Sequence, residues 1–440
     1  MIVGSVCRPR IHPMQTAASE HRLPAEAPKL PPVLDPNFQP AALANRAFRA
    51  AARATGQART VRFALEQADG SVFLHSTEIL PDAHPQASQN YRHIERLLKF
   101  FLWSRGGFRV YFDGPRALGE KLQKHFVETP TGKFDADLMG NRVYEKPFEV
   151  VITGDLPRER AVTQPLGRHL DGCRIGFDLG GSDRKVAAVI NGEVVFSEET
   201  GWDPYLQKDP QYHIDGVMDS LKKAAAHLPK VEAIGGSAAG VYVNNQVKVA
   251  SLFRGVPPDL FQARVKPMFF EIQKAWGGVP LEVVNDGEVT ALAGSMSLNR
   301  NGVLGVALGT SQAAGFVTKD GNITSWLNEL AFAPVDDAPN APRDEWSGDI
   351  GCGVQYFSQQ AVGRLLAPAK IDLPPDLPLP AKLKHVQQIM AEGDPRARRI
   401  YETVGIYLGY AVAHYAEFYD CGNVLILGRV TSGRISAHRL

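Results

Sequence analysis

Cysteine is scarce in this 440-residue chain: Cys7, Cys173, Cys352 and Cys421 are scattered, with no Cys-x-x-Cys pair. That spacing suggests neither a disulfide framework nor a self-contained zinc module, and it suits a reducing compartment. Long apolar runs are lacking too. No stretch is long enough to cross a bilayer, and the segment from Met1 to Arg10 is broken by charge and proline before a signal-peptide core could form. Neither sign of charge dominates, with 48 Lys and Arg against 47 Asp and Glu and a net charge of +1. No sustained basic block is present, which argues against nucleic acid as a partner. The 12 histidines include no His-Glu-x-x-His spacing. A cytoplasmic protein without a membrane or nucleic-acid partner is expected.

What is present is ordinary globular material, 44% apolar and 22% charged. The length exceeds what one hydrophobic core usually serves, so two or three domains are expected. Residues 1–40, rich in Pro and Ala with little periodicity, read as a disordered, mobile extension. Residues 41–165 read as an α/β domain. Its parts are a hairpin of Thr60–Leu65 with Ser71–His75, a helix over Tyr91–Ser104, a strand at Phe108–Phe112, a helix over Pro115–Phe126 and a strand at Phe148–Thr153. The unit starting at Asn90 parallels the one starting at Gln211, which raises a degenerate internal copy as a hypothesis, although chance similarity explains it better. After Cys173, strands at Val231–Gly235, Leu281–Val284, Leu304–Leu308 and Val424–Leu427 alternate with helices at Val354–Leu366 and Ala381–Tyr419, the latter broken near Gly393 and Asp394. Such alternation indicates an α/β architecture with ligands at strand ends.

Four segments carry chemistry. Ile175–Ile190 runs as strand, turn and strand, with Asp178 at the strand end and Gly180, Gly181 and Ser182 in the turn. An acid there orients hydrated Mg2+, and glycines let phosphate oxygens reach backbone N–H groups. An ordinary hairpin fits this segment equally well. Asn285 and Asp286 end the next motif strand, directly before a small-residue helix whose N-terminus favours an anion, or which they simply cap. Gly309, Thr310 and Ser311 form a second glycine and hydroxyl turn, and an apolar strand from Leu425 runs into a turn from Gly428 to Gly433. Ser237 mimics a nucleophile elbow only loosely. Asp344–Asp349 reads as a solvated or lobe-contacting acidic loop and not a metal site, and Trp326 and Trp346 suit a sugar face or a core equally.

In this order the motifs resemble the ROK family of sugar kinases and repressors, within the actin, hexokinase and Hsp70 ATPase superfamily, from about Cys173 onward. The resemblance implies a two-lobed actin-like ATPase fold, ribonuclease H-like in each lobe, with an extra N-terminal α/β domain. A small lobe would cover 171–262 and a large lobe 263–440, the latter apparently truncated at its C-terminus. It implies ATP-dependent phosphorylation of a sugar hydroxyl, as in glucokinases, with ATP and Mg2+ as cofactors. Asp286 would be the general base, and Asn285, Glu329 and Gly240 would bind the sugar. Asp178 would hold Mg2+ through water. Gly180, Gly181, Ser182, Lys185, Gly309, Thr310, Ser311, Gly428 and Gly433 would hold the nucleotide.

Departures from the family pattern bear on the substrate. Phe332 stands where the family has His, Val354 where it has a second Glu, and Cys352 is the one clear survivor of a cysteine-rich zinc segment, so no structural zinc is expected. Apolar residues at these two positions favour a modified, deoxy or differently linked sugar. The alternative implied by the same resemblance is a sugar-sensing regulator or pseudokinase without turnover. A DNA-binding repressor fits less well, because Ala41–Thr60 supplies one helix and not a helix-turn-helix. Homo-oligomerisation is left open.

Overall fold

The computed structural model describes Leu23 and residues 26–432. An N-terminal sheet combines β1 (Arg59–Glu66), β2 (Val72–Ile79), β3 (Arg109–Asp113) and β4 (Glu149–Ile152) in the order β2-β1-β3-β4. Asp69 and Gly70 turn the β1–β2 hairpin, with Ser71 N–H bonded to the Asp69 carboxylate. The helix Gln89–Arg105 crosses from β2 to β3 and buries Ile94, Leu97, Leu98, Phe101 and Leu102.

The second sheet holds β6 (Cys173–Leu179), β7 (Asp183–Ile190), β8 (Glu193–Gly201), β9 (Ala233–Ala238) and β12 (Leu281–Asn285). Its order is β12-β9-β6-β7-β8, with β6 to β8 an antiparallel meander and β9 and β12 parallel to β6. Alternation along β6 buries Ile175, Phe177 and Leu179 on one face, where the helices Gln211–Ala225 and Met268–Ala275 bring Val217, Leu221, Phe269 and Ile272. A small ribbon, β10 (Val241–Val243) with β11 (Gln246–Val249), follows β9.

The third sheet repeats the scheme. β13 (Val303–Leu308), β14 (Gln312–Val317) and β15 (Ile323–Thr324) form a meander, and β16 (Asn423–Leu427) lies parallel to β13. Two meanders, each followed through helix by a strand parallel to its first strand, define the duplicated ribonuclease H-like arrangement of a two-lobed actin-like ATPase. The fold class expected from the motif order is therefore the observed one.

Several boundaries move. β12 pairs with β9, and Val265, Met268, Phe269 and Ile272 lie in the small-lobe core, so that lobe continues to Asn285 and does not stop at residue 262. The expected extension is only partly outside the described residues. Within it Phe38 is buried, its ring centroid 4.7 Å from Tyr407, and Asp35 pairs with Arg364 at 2.9 Å. Low periodicity concealed a segment that gains its burial from another element's surface and not from its own. The N-terminal unit is not a separate globule either: its core residues Phe63, Phe101 and Phe112 belong to one contiguous cluster with Leu304, Tyr356 and Tyr415 of the large lobe. β5 (Thr163–Gln164), placed by sequence in the N-terminal domain, pairs with β15 and extends the large-lobe sheet. The idea of an internal copy ends at strand direction, since β3 runs antiparallel to β1 whereas β9 runs parallel to β6.

Candidate active site

Asp178 sits at the end of β6 opposite Lys185 of β7, whose ammonium lies 3.8 Å from Asp178 and 2.8 Å from Asp183. The turn between them is closed by Gly180 N–H donating to the Asp183 carbonyl at 2.9 Å. Asp178, Gly180, Gly181 and Lys185 line a cleft of about 1480 Å³. Ser182, expected to face phosphate, is not among its walls: it is exposed, and its hydroxyl donates to Asp183 at 2.8 Å.

β12 delivers the second acid. Asn285 caps the helix Asp286–Leu298 by accepting from Gly287 N–H at 2.7 Å, and its amide nitrogen donates to the Gly240 carbonyl at 2.7 Å. Both ends of that amide are thus engaged within the protein, which makes Asn285 a tie between the acid and the turn at Gly240. Gly240 has φ 131°, and a Cβ there would lie 2.5 Å from the Val249 carbonyl oxygen, so glycine is required by conformation and by space. Asp286 opens the helix and lines the cleft. Burial, and then the Asp178 charge, push its pKa up to about 6.

The large lobe supplies the opposite wall. Gly309, Thr310 and Ser311 turn from β13 into β14, with Gly309 N–H bonded to the Ser311 carbonyl at 2.9 Å, and all three line the cleft. Gly428 lines it as well, beside Leu308, whose carbonyl accepts from Val430 N–H at 3.0 Å. Gly433 lies outside the described residues. Glu329 lines the same cavity, and burial followed by the Asp286 charge pushes its pKa up to about 8.

Sequence reasoning missed the contribution of the N-terminal unit. The last turn of the Gln89–Arg105 helix leaves carbonyls without intrahelical partners. Trp103, Ser104 and Arg105 offer theirs to the N–H groups of Glu329, Asn328 and Leu327 at 2.9, 3.0 and 3.2 Å. The backbone that carries Glu329 is therefore seated on a helix end. Trp103 and Leu138 also line the cleft. The Trp103 indole N–H donates to Asp135 at 3.0 Å, and its ring lies 4.3 Å from Phe332.

Behind this wall is a buried ion cluster. Lys99 reaches Asp135 at 3.0 Å and Asp349 at 2.8 Å, and Arg96 reaches Asp349 at 2.8 Å and Glu95 at 2.6 Å. Burial opposes the charge on Lys99, but Asp135 and Asp349 outweigh it and raise its pKa above the usual lysine range. Burial likewise works against ionised Asp349, yet Arg96 and Lys99 hold it well below the usual carboxylate range. Cys352 is fully buried next to this cluster, and burial pushes its thiol up to about 12. No local periodicity joins these residues, so no sequence signal could have found them. Glu288 was also missed, read only as part of a helix start; burial pushes it up to about 8, with Glu329 and Glu282 as further charges.

The donor set suits a hydrated Mg2+ and not a protein-caged ion. Asp178 presents one accessible carboxylate at the cleft, and Mg2+ typically keeps several waters and takes one or two carboxylates plus phosphate oxygens. Among the described residues no group of three or more His, Cys, Asp or Glu side chains could hold a metal alone.

No family model and no curated protein matches the chain. Among solved structures it is similar to a ROK hexokinase from Thermus thermophilus, with 17% identity, TM-score 0.47 and coverage of 59% of this chain and 82% of that one. It is similar to a ROK family transcriptional regulator, a homolog of the E. coli MLC protein, with 21% identity, TM-score 0.46 and coverage of 59% and 66%. A ROK family glucokinase from Streptomyces griseus, in complex with glucose and AMPPNP, matches with 20% identity, TM-score 0.45 and coverage of 58% and 83%. The fold assignment itself rests on the strand order of the two sheets.

Proposed function

We propose that the protein phosphorylates a sugar hydroxyl with ATP. The observation that carries this reading is the meeting of Asp178, Asp286 and both glycine turns on one cleft between two ribonuclease H-like sheets. Phosphoryl transfer requires positioning and charge neutralisation more than covalent chemistry from the protein. Asp286, with a pKa of about 6, is ionised at neutral pH yet basic enough to accept the proton of an attacking hydroxyl. Glu329, pushed up to about 8, carries its proton at neutral pH and is suited to donate a hydrogen bond to a sugar oxygen. Backbone N–H groups of the Gly180–Gly181 and Gly309–Thr310 turns would hold phosphate oxygens. Mg2+, when bound through water to Asp178, would neutralise phosphate charge. Phe332 and Val354 beside Glu329 make that wall apolar, which favours a sugar deoxygenated or substituted at the position facing them. We place the activity in the cytoplasm, where Cys173, Cys352 and Cys421 remain free thiols.

The test is ADP release by the purified chain with ATP-Mg across hexoses, amino sugars and deoxy sugars. Sugar-dependent release establishes the kinase and names its substrate class. Silence across the panel, with sugar binding still visible as a thermal shift, replaces it with the sensor reading.

A further inference from the structure

One construction at the cleft is unused by the reading above. Trp202 donates its indole N–H to the Gly180 carbonyl at 2.8 Å, and the Tyr205 hydroxyl lies so close to Gly181 that a Cβ there would come within 1.9 Å of it. The segment holding both aromatics is fixed from behind. Buried His213 places Nε2 3.1 Å from the carbonyls of Pro204 and Leu252, and a Cβ on Gly255 would meet the Gln207 carbonyl oxygen at 2.7 Å. The first glycine turn, the Trp202–Gln207 segment and the 251–255 turn are therefore braced against one another.

Arg254 lies on this brace. Its guanidinium is 4.2 Å from the Tyr205 ring centroid, and it lines the cleft together with Gly180, Gly181 and Lys185. Lys185 is engaged by Asp183 at 2.8 Å. Arg254 is exposed, and among the described residues it makes no ion pair and no side-chain hydrogen bond.

We propose that Arg254 binds the terminal phosphate of the phosphoryl donor, with Tyr205 as the plate that holds its guanidinium in place. A guanidinium presents a planar fork that matches two phosphate oxygens, and stacking on an aromatic ring reduces the freedom lost when it binds. It also stays charged as the phosphoryl group moves, which is when neutralisation matters most. The inference rests on the phosphoryl-transfer reading.

The experiment is calorimetric titration of the full chain with ATP-Mg, inorganic tripolyphosphate and a hexose phosphate. Wild type is compared with Arg254→Gln, Tyr205→Leu and Tyr205→Phe, each first checked for wild-type circular dichroism. Loss of a charge-assisted phosphate contact weakens ATP and tripolyphosphate by about 10- to 100-fold in Arg254→Gln. Tyr205→Leu shows the same loss, and Tyr205→Phe, which keeps the ring, restores the affinity. Equal binding of ATP and tripolyphosphate by wild type and Arg254→Gln overturns the inference and leaves the kinase reading standing. Weakening confined to the hexose phosphate overturns the donor assignment and moves the phosphate to the acceptor. A wild-type chain that binds neither ATP nor tripolyphosphate overturns the kinase reading and the role of Arg254 with it.

Discussion

Replacing Lys99 by Met strands the Asp135 carboxylate in the wall behind the cleft. Lys99 is 2% exposed and lies 3.0 Å from Asp135 and 2.8 Å from Asp349. Methionine fills much of the space but supplies no charge. Asp349 keeps Arg96 at 2.8 Å, whereas among the described residues Asp135 keeps only the Trp103 indole N–H at 3.0 Å. Removing one partner of a buried pair typically costs about 3–5 kcal/mol, because the desolvated charge that remains is uncompensated. The expected loss in denaturant unfolding free energy at neutral pH is in that range. It shrinks as pH falls, since Asp135 can then take up a proton. Adding Asp135→Asn removes the stranded charge and retains an acceptor for Trp103, so the double variant should recover most of the loss. Hydrogen exchange should report the same damage locally, in peptides spanning 89–105 and 336–354. A Lys99→Met loss below about 1 kcal/mol, or a double variant no better than the single one, refutes the view that uncompensated charge governs this cluster.

Asp286→Asn should lower turnover by about 10²- to 10⁴-fold while sugar binding persists, and the wild-type rate should climb as pH rises through about 6; ADP release across pH checks both. Glu329 and Glu288 hold protons in the folded chain up to about 8 but ionise near 4.5 when unfolded. The folded state thus binds more protons across that window, and these two groups make stability fall as pH rises from about 4.5 to 8. Glu329→Gln should flatten that slope in denaturation curves taken at several pH values. Gly240→Ala forces a side chain at φ 131° into the Val249 carbonyl 2.5 Å away. A stability loss of at least about 1–3 kcal/mol is expected, measured by the denaturation midpoint.

Residues acting through their own neighbours were legible from sequence alone. An apolar strand delivering Asp178 to two glycines, and another delivering Asn285 and Asp286 to a helix start, announce themselves because strand alternation, turn conformation and capping are short-range requirements. The structure brings both acids and both glycine turns to one cleft. Ser182 was misplaced for a related reason: composition shows that a turn offers a hydroxyl, not which way the hydroxyl points. Only the tertiary structure decided that the N-terminal unit belongs to the site. Three helix-end carbonyls seat the Glu329 backbone, Trp103 backs Phe332, and Lys99 joins acids on two distant segments. A carbonyl accepts a hydrogen bond whatever its side chain, and a lysine on a helix looks solvent-facing until another element covers it. Those facts arise when distant surfaces meet, and no spacing along the chain encodes them.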